Sequence, residues 1–178
     1  MTQRAVPVSR SAARAAAWAA SLAVLAASLA ACGGGDGGDD AAIDAPGPAP
    51  LFPADYAATY QQVRACRNSL DHDLHRIRVL AAPEALASYM GRTTPFPAGA
   101  IVLKEEYGGN DATCAGPIVS FTVMQKLAAG SSAATLDWQW QEVSGDRRTV
   151  NEDNRSCVGC HTSCGKPPEG FDGTCTVP

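Results

Sequence analysis

Basic residues are few in this chain, and part of that small number sits where a folded body cannot use it. The sequence holds 14 Lys and Arg against 18 Asp and Glu in 178 residues. Arg4, Arg10 and Arg14 fall within positions 1–31, which contain no acid. The remainder therefore carries 11 basic groups against 18 acidic ones, a net charge of −7. An acidic body argues against a nucleic-acid partner and against charge-driven binding to anionic lipid. Long apolar runs are confined to Ala15–Ala31. That run is Ala-rich and only just long enough to cross a bilayer, which disfavours a transmembrane anchor. No internal repeat is present, so solenoids and arrays are excluded.

What is present begins with export. Three Arg precede the apolar run, which closes on Leu29-Ala30-Ala31-Cys32. A cleaved secretory signal needs small residues at its end but no Cys, so Cys32 marks a lipoprotein signal at 1–31. The expected mature chain starts at a lipidated Cys32, anchored to a bacterial membrane and facing the periplasm or the cell surface. Residues 32–52, GGGDGGDDAAIDAPGPAP with its flanks, lack apolar periodicity and read as a flexible tether. Residues 53–178 are then one domain with room for a modest core.

Near the end of that domain lies Cys157-Val158-Gly159-Cys160-His161. Two thiols at this spacing can each form a thioether to a haem vinyl group, leaving the adjacent imidazole under the iron as axial ligand. In an exported chain the motif points to one covalent haem c, with Cys157 and Cys160 as attachment points and His161 as the metal ligand. The plainer reading is a disulfide half-site followed by an incidental His.

Periodicity predicts a helix at 54–65, where Tyr56, Tyr60 and Val63 recur at helical spacing, and a helix at Pro83–Met90, with Pro83 and Glu84 suited to its first turn. Strands are expected at Asp73–Leu80, Ala100–Tyr107, Ile118–Leu127 and Leu136–Val143, with little regular structure after 144 beyond a turn of helix carrying the motif. The fold class is α+β, mainly β: an antiparallel meander of four to five strands with one or two helices and a C-terminal haem c segment. In Asp71-His72-Asp73-Leu74-His75 the two His could form a second metal site or a proton relay, against the plainer reading of a solvated strand entry.

Ile77-Arg78-Val79, Pro83-Glu84, Phe96-Pro97-Ala98-Gly99-Ala100-Ile101-Val102-Leu103-Lys104-Glu105, Trp138 and the C-x-x-C-H run follow one another in an order that resembles the cytochrome P-460 family over 54–161. The resemblance implies an antiparallel β domain with one covalent haem c, a proximal His and an open distal face, in proteins that bind or oxidise hydroxylamine and nitric oxide. It nominates Lys104 as the lysine that hydroxylamine-oxidising members cross-link to the haem. Relatives resembling cytochrome c prime beta share the fold without that bond. The oxidising members are expected to present a distal carboxylate, yet 118–127 contains no acid. Phe121, Val123 and Met124 are expected there instead as an apolar distal cap. Met124 or Met90 as a sixth ligand, and Trp138 and Trp140 packed on the porphyrin, are further expectations, each against the plain reading of core.

Cys66, Cys114, Cys164 and Cys175 remain once lipid and haem take their share, and three pairings are open to them. Cys164 with Cys175 and Cys66 with Cys114 are the favoured ones. Expected partners are a small nitrogen ligand or substrate, a redox protein, the membrane through the Cys32 lipid, and a second copy of the chain. The competing functions are a six-coordinate electron carrier and a haem-free, disulfide-stapled surface lipoprotein.

Overall fold

Alternation along the strands decides what each face of the sheet carries. In Ile101–Tyr107, Val102, Lys104 and Glu106 project to one side and Leu103, Glu105 and Tyr107 to the other. The computed structural model describes residues 47–69 and 72–175. The expected signal segment 1–31, Cys32 and the expected tether as far as 46 lie outside them, as do 70–71 and 176–178.

The strands are β1 (Gln61–Asn68), β2 (Arg76–Ala81), β3 (Ile101–Tyr107), β4 (Ile118–Lys126), β5 (Trp138–Ser144) and β6 (Thr149–Glu152). They lie in the sheet in sequence order, and every neighbouring pair is antiparallel. Helices α1 (Tyr56–Thr59), α2 (Pro83–Gly91) and α3 (Arg155–Cys164) complete the α+β, mainly β fold, with a 3-10 turn at Ala133–Thr135. The meander is the one expected. Six strands replace four to five, because polar β6 and the disulfide-pinned β1 have no apolar alternation to announce them. No helix among the described residues is long and apolar enough to cross a membrane.

Two cores lie back to back. The first packs Val79, Ala81, Val102, Met124, Trp138 and Trp140 of the sheet against Tyr89 of α2 and Phe96, with Cys157, Val158 and Phe171 closing over it. The second packs Leu80, Leu103, Phe121, Val123 and Val143 under Phe52 and Tyr56. Each side chain of this size contributes about 1.5–3 kcal/mol when fully buried. Phe52, placed by composition at the end of the tether, is 2% exposed. Leu51 N–H donates to Gln141 Oε1 (2.9 Å), so packing begins before 53.

The expected helix 54–65 survives only as α1. Tyr56 and Tyr60 pack on the second core while Val63 packs on the first. A helical stripe would have put all three on one side. Here the chain passes the sheet edge between Tyr60 and Val63, and pairing of Gln61 with Ala81 takes over from local propensity. The strand expected from Asp73 starts at Arg76 because Asp73 and Leu74 adopt positive φ (49° and 58°) in the turn before it. Helix α2 starts on Pro83 and Glu84 as expected, and Arg92 caps it in the left-handed region.

Disulfides join Cys66 to Cys114 (Cα–Cα 5.6 Å) and Cys164 to Cys175 (4.9 Å), so β1 is tied to the β3–β4 loop and the C-terminal tail to α3.

Candidate functional site

Asn154 starts α3 by accepting from Ser156 N–H (2.9 Å), the side-chain cap that satisfies an otherwise unpaired first-turn donor. The helix then spaces Cys157, Cys160 and His161 as i, i+3 and i+4, which places all three on neighbouring positions of one face. Cys157 and Cys160 are free thiols while the other four described cysteines are paired. Burial and the neighbouring Glu142 push the Cys157 thiol up to about 11, so it stays S–H.

His161 Nδ1 lies 2.7 Å from the Gly173 carbonyl. A carbonyl has no proton to give, so Nδ1 is the donor and Nε2 keeps its lone pair for a metal. Burial holds His161 below its ordinary value, with the Lys104 charge acting in the same direction, which favours the neutral imidazole a metal requires.

The sheet face beneath α3 carries a row that crosses the strands, Val79, Lys104, Thr122 and Glu142 in register. Lys104 meets His72 Nε2. Ammonium groups only donate, so Nε2 accepts and the His72 proton sits on Nδ1, 3.6 Å from Glu106 Oε1. Burial, then Lys104, His161 and His75, push His72 down to about 3. The His72 contact to Glu106 is therefore one between a neutral ring and a carboxylate. Glu106 is 5% exposed and accepts from Ser120 Oγ at Oε2 (2.7 Å) and from Thr122 Oγ1 at Oε1 (3.2 Å), with His75 Nδ1 3.3 Å from the same oxygen that Ser120 meets. Among the described residues, no group of three His, Cys, Asp or Glu has the geometry to hold a metal ion, so the second-metal reading of His72 and His75 is not supported.

The residues fit a haem. Besides the thiol pair and the free Nε2, Trp140 Nε1 is buried without a hydrogen-bond partner, and its ring lies 6.2 Å from the His161 ring. A buried donor left unpaired is costly, and the acidic edge of a bound porphyrin would satisfy it. A family model described as Cytochrome P460 matches residues 53–167. The chain belongs to the cytochrome P460 family. Haem is thus the cofactor of this cytochrome, and α3 with the Lys104 face of the sheet is where its residues collect. No curated protein matches the chain.

Lys104, Cys157, Cys160 and His161 come together. Met124 and Trp138 lie on the same face but are core, 6% and 1% exposed, and Trp138 spends its indole N–H on Asp172 O (2.8 Å). Phe121 and Val123 are not a distal cap: strand parity turns them to the opposite face, where Phe121 packs 5.0 Å from Phe52 and 5.7 Å from Tyr56 by ring centroids. Met90 is 51% exposed at the end of α2. Glu105, the partner of Lys104 in the family motif, also points away, into a buried group with Arg78 (2.6 Å), Tyr56 (2.8 Å) and Tyr107 (2.8 Å).

The strand beside 118–127 does carry a buried carboxylate on the Lys104 face, Glu106. Its signal was in the sequence, since a residue two places from Lys104 on a strand shares its face. Glu142 could have been found the same way, two places beyond Trp140.

Proposed function

We propose that this protein is an exported, lipid-anchored, mono-haem c cytochrome that binds and oxidises small nitrogen compounds of the hydroxylamine type at an iron position opposite His161. The observation that carries the reading is Glu106, a buried carboxylate on the Lys104 face, held by two hydroxyls and flanked by two imidazoles. Cys157 and Cys160 would hold the haem through thioethers, each formed as an S–H adds across a vinyl group, and His161 Nε2 would be the axial ligand. Once bound, the haem would supply the redox chemistry that the oxidation needs, with an external redox protein as the electron acceptor.

Oxidation of hydroxylamine releases N–H and O–H protons along with its electrons, and Glu106 would accept them. Ser120 and Thr122 fix that carboxylate. His75, its side chain 28% exposed, would lead protons from Glu106 to solvent, while His72, whose Nδ1 already carries a proton, faces the carboxylate as a donor. Lys104 contributes positive charge next to His72, and in the cross-linked branch of the family its side chain would bond the haem edge. The haem-free alternative is disfavoured by two thiols left unpaired beside a correctly presented imidazole.

The test is the protein matured with haem-attachment machinery. A haem-staining band on a denaturing gel and hydroxylamine-dependent reduction of an electron acceptor are expected. No band overturns the cytochrome c reading. A haem band with a sharp low-spin spectrum and no turnover favours the six-coordinate carrier.

A further inference from the structure

The tail after α3 is wound against the proximal side more tightly than a disulfide alone requires. Gly173 N–H donates to Gly165 O (3.0 Å) while Gly165 N–H donates to His161 O (2.9 Å). A Cβ on Gly165 would lie 2.4 Å from both the Gly173 Cα and the His161 carbonyl, and one on Gly173, at φ +86°, 2.6 Å from Trp138 Nε1. Only glycine lets the two segments approach so closely.

Asp172 anchors this approach with three of its oxygens. Oδ1 accepts from Lys126 Nζ (2.6 Å), Oδ2 from Phe96 N–H (2.9 Å) and the main-chain O from Trp138 Nε1 (2.8 Å). Lys126, 8% exposed, gives a second bond to Leu136 O (2.8 Å) and lies 5.0 Å from the Trp138 ring centroid. The residue after Asp172 is Gly173, whose carbonyl receives the His161 proton.

We propose that Asp172 is a positioning residue for the axial ligand: fixed by Lys126, Phe96 and Trp138, it holds the Gly173 carbonyl against His161, and the Cys164–Cys175 bridge closes the same clamp. The inference rests on the reading of His161 as iron ligand. The Nδ1–H bond sets the rotation of the ring and strengthens Nε2 as a donor, so a loosened tail weakens the ligand. A weaker donor stabilises ferric iron less, and the reduction potential rises.

The haem-loaded protein, Asp172→Asn, Lys126→Met and the double variant Cys164→Ser/Cys175→Ser are compared by spectroelectrochemical titration and by the iron–histidine stretching band of the ferrous form. The clamp requires a higher potential and a lower-frequency band in all three. Lys126→Met is the decisive arm, because removing a positive charge lowers the potential by Coulomb attraction alone, opposite to the expected rise. Val143→Ala, which opens the other core, is expected to lower stability and leave both readouts unchanged. Haem-loaded Asp172→Asn and Lys126→Met with the wild-type band, or Lys126→Met with a lowered potential, overturn the clamp. If Asp172→Asn does not accumulate, the cysteine variant carries the same test. A wild-type protein without haem overturns instead the functional reading beneath it.

Discussion

Replacing Glu106 with Gln removes a proton acceptor and changes little else. The side chain keeps its size, and its remaining carbonyl oxygen can still accept from Ser120 Oγ, now 2.7 Å from Glu106. The new amide then stands in place of the oxygen that faces Thr122 Oγ1 and His72 Nδ1, at the cost of at most one rearranged bond each, and a net loss of about 1 kcal/mol in stability is expected. Catalysis suffers more. A positioned general base contributes about 10²- to 10⁴-fold, so the variant should lose two to four decades in the rate of hydroxylamine oxidation, about 3–5 kcal/mol of barrier. The assay is steady-state reduction of an electron acceptor by the haem-loaded protein, with hydroxylamine saturating. Nitric oxide binding to the ferrous form involves no proton transfer and should stay within a few-fold of wild type. A Glu106→Gln protein that retains more than a tenth of wild-type turnover refutes the assignment. If Glu142→Gln, on the same face beside Cys157, causes the loss instead, the acid has been placed on the wrong strand.

Phe121→Ala should cost about 3–5 kcal/mol in urea unfolding, since it empties the contact with Phe52 and Tyr56, while leaving the haem spectrum unaltered; a shifted Soret band would return Phe121 to the haem pocket. Breaking Cys66–Cys114, which spans 48 residues, should lower stability by about 4 kcal/mol in the chain-entropy model, and breaking Cys164–Cys175, which spans 11, by about 3 kcal/mol; mass spectrometry with alkylation before reduction should find none of the four labelled. Burial and nearby acids hold the hydroxyls of Tyr56, Tyr60 and Tyr107 above their ordinary value, with Tyr60 pushed up to about 12. A raised folded value means stability is complete below pH 10 and falls as pH rises toward 12, because the unfolded tyrosines ionise first; unfolding free energy that stays flat from pH 9 to 11 would contradict this. Lys104→Ala should move the Soret band and abolish oxidation if the lysine bonds the haem, and should alter the spectrum little otherwise.

The sequence alone determined the candidate attachment and ligand residues, because the C-x-x-C-H spacing is local: a helix sets Cys157, Cys160 and His161 on one face without help from the rest of the chain. It determined the order of the middle strands and the start of α2 for the same reason, since alternation and Pro83 act over a few residues. The two disulfides were narrowed by counting, while the three-dimensional approach of Cys66 to Cys114 chose between the pairings. Only the tertiary structure decided which strand faces the site. Phe121 and Glu106 belong to adjacent strands, and the pairing of β3 with β4 sends one to each side of the sheet; a shift of one residue would exchange the faces. His72 and His75 became part of the site when a turn with two positive φ angles brought them over Glu106, a placement set by the path of the backbone. Nothing in the sequence marks Asp172 and Gly173, and only the close approach of backbone to backbone shows what they hold.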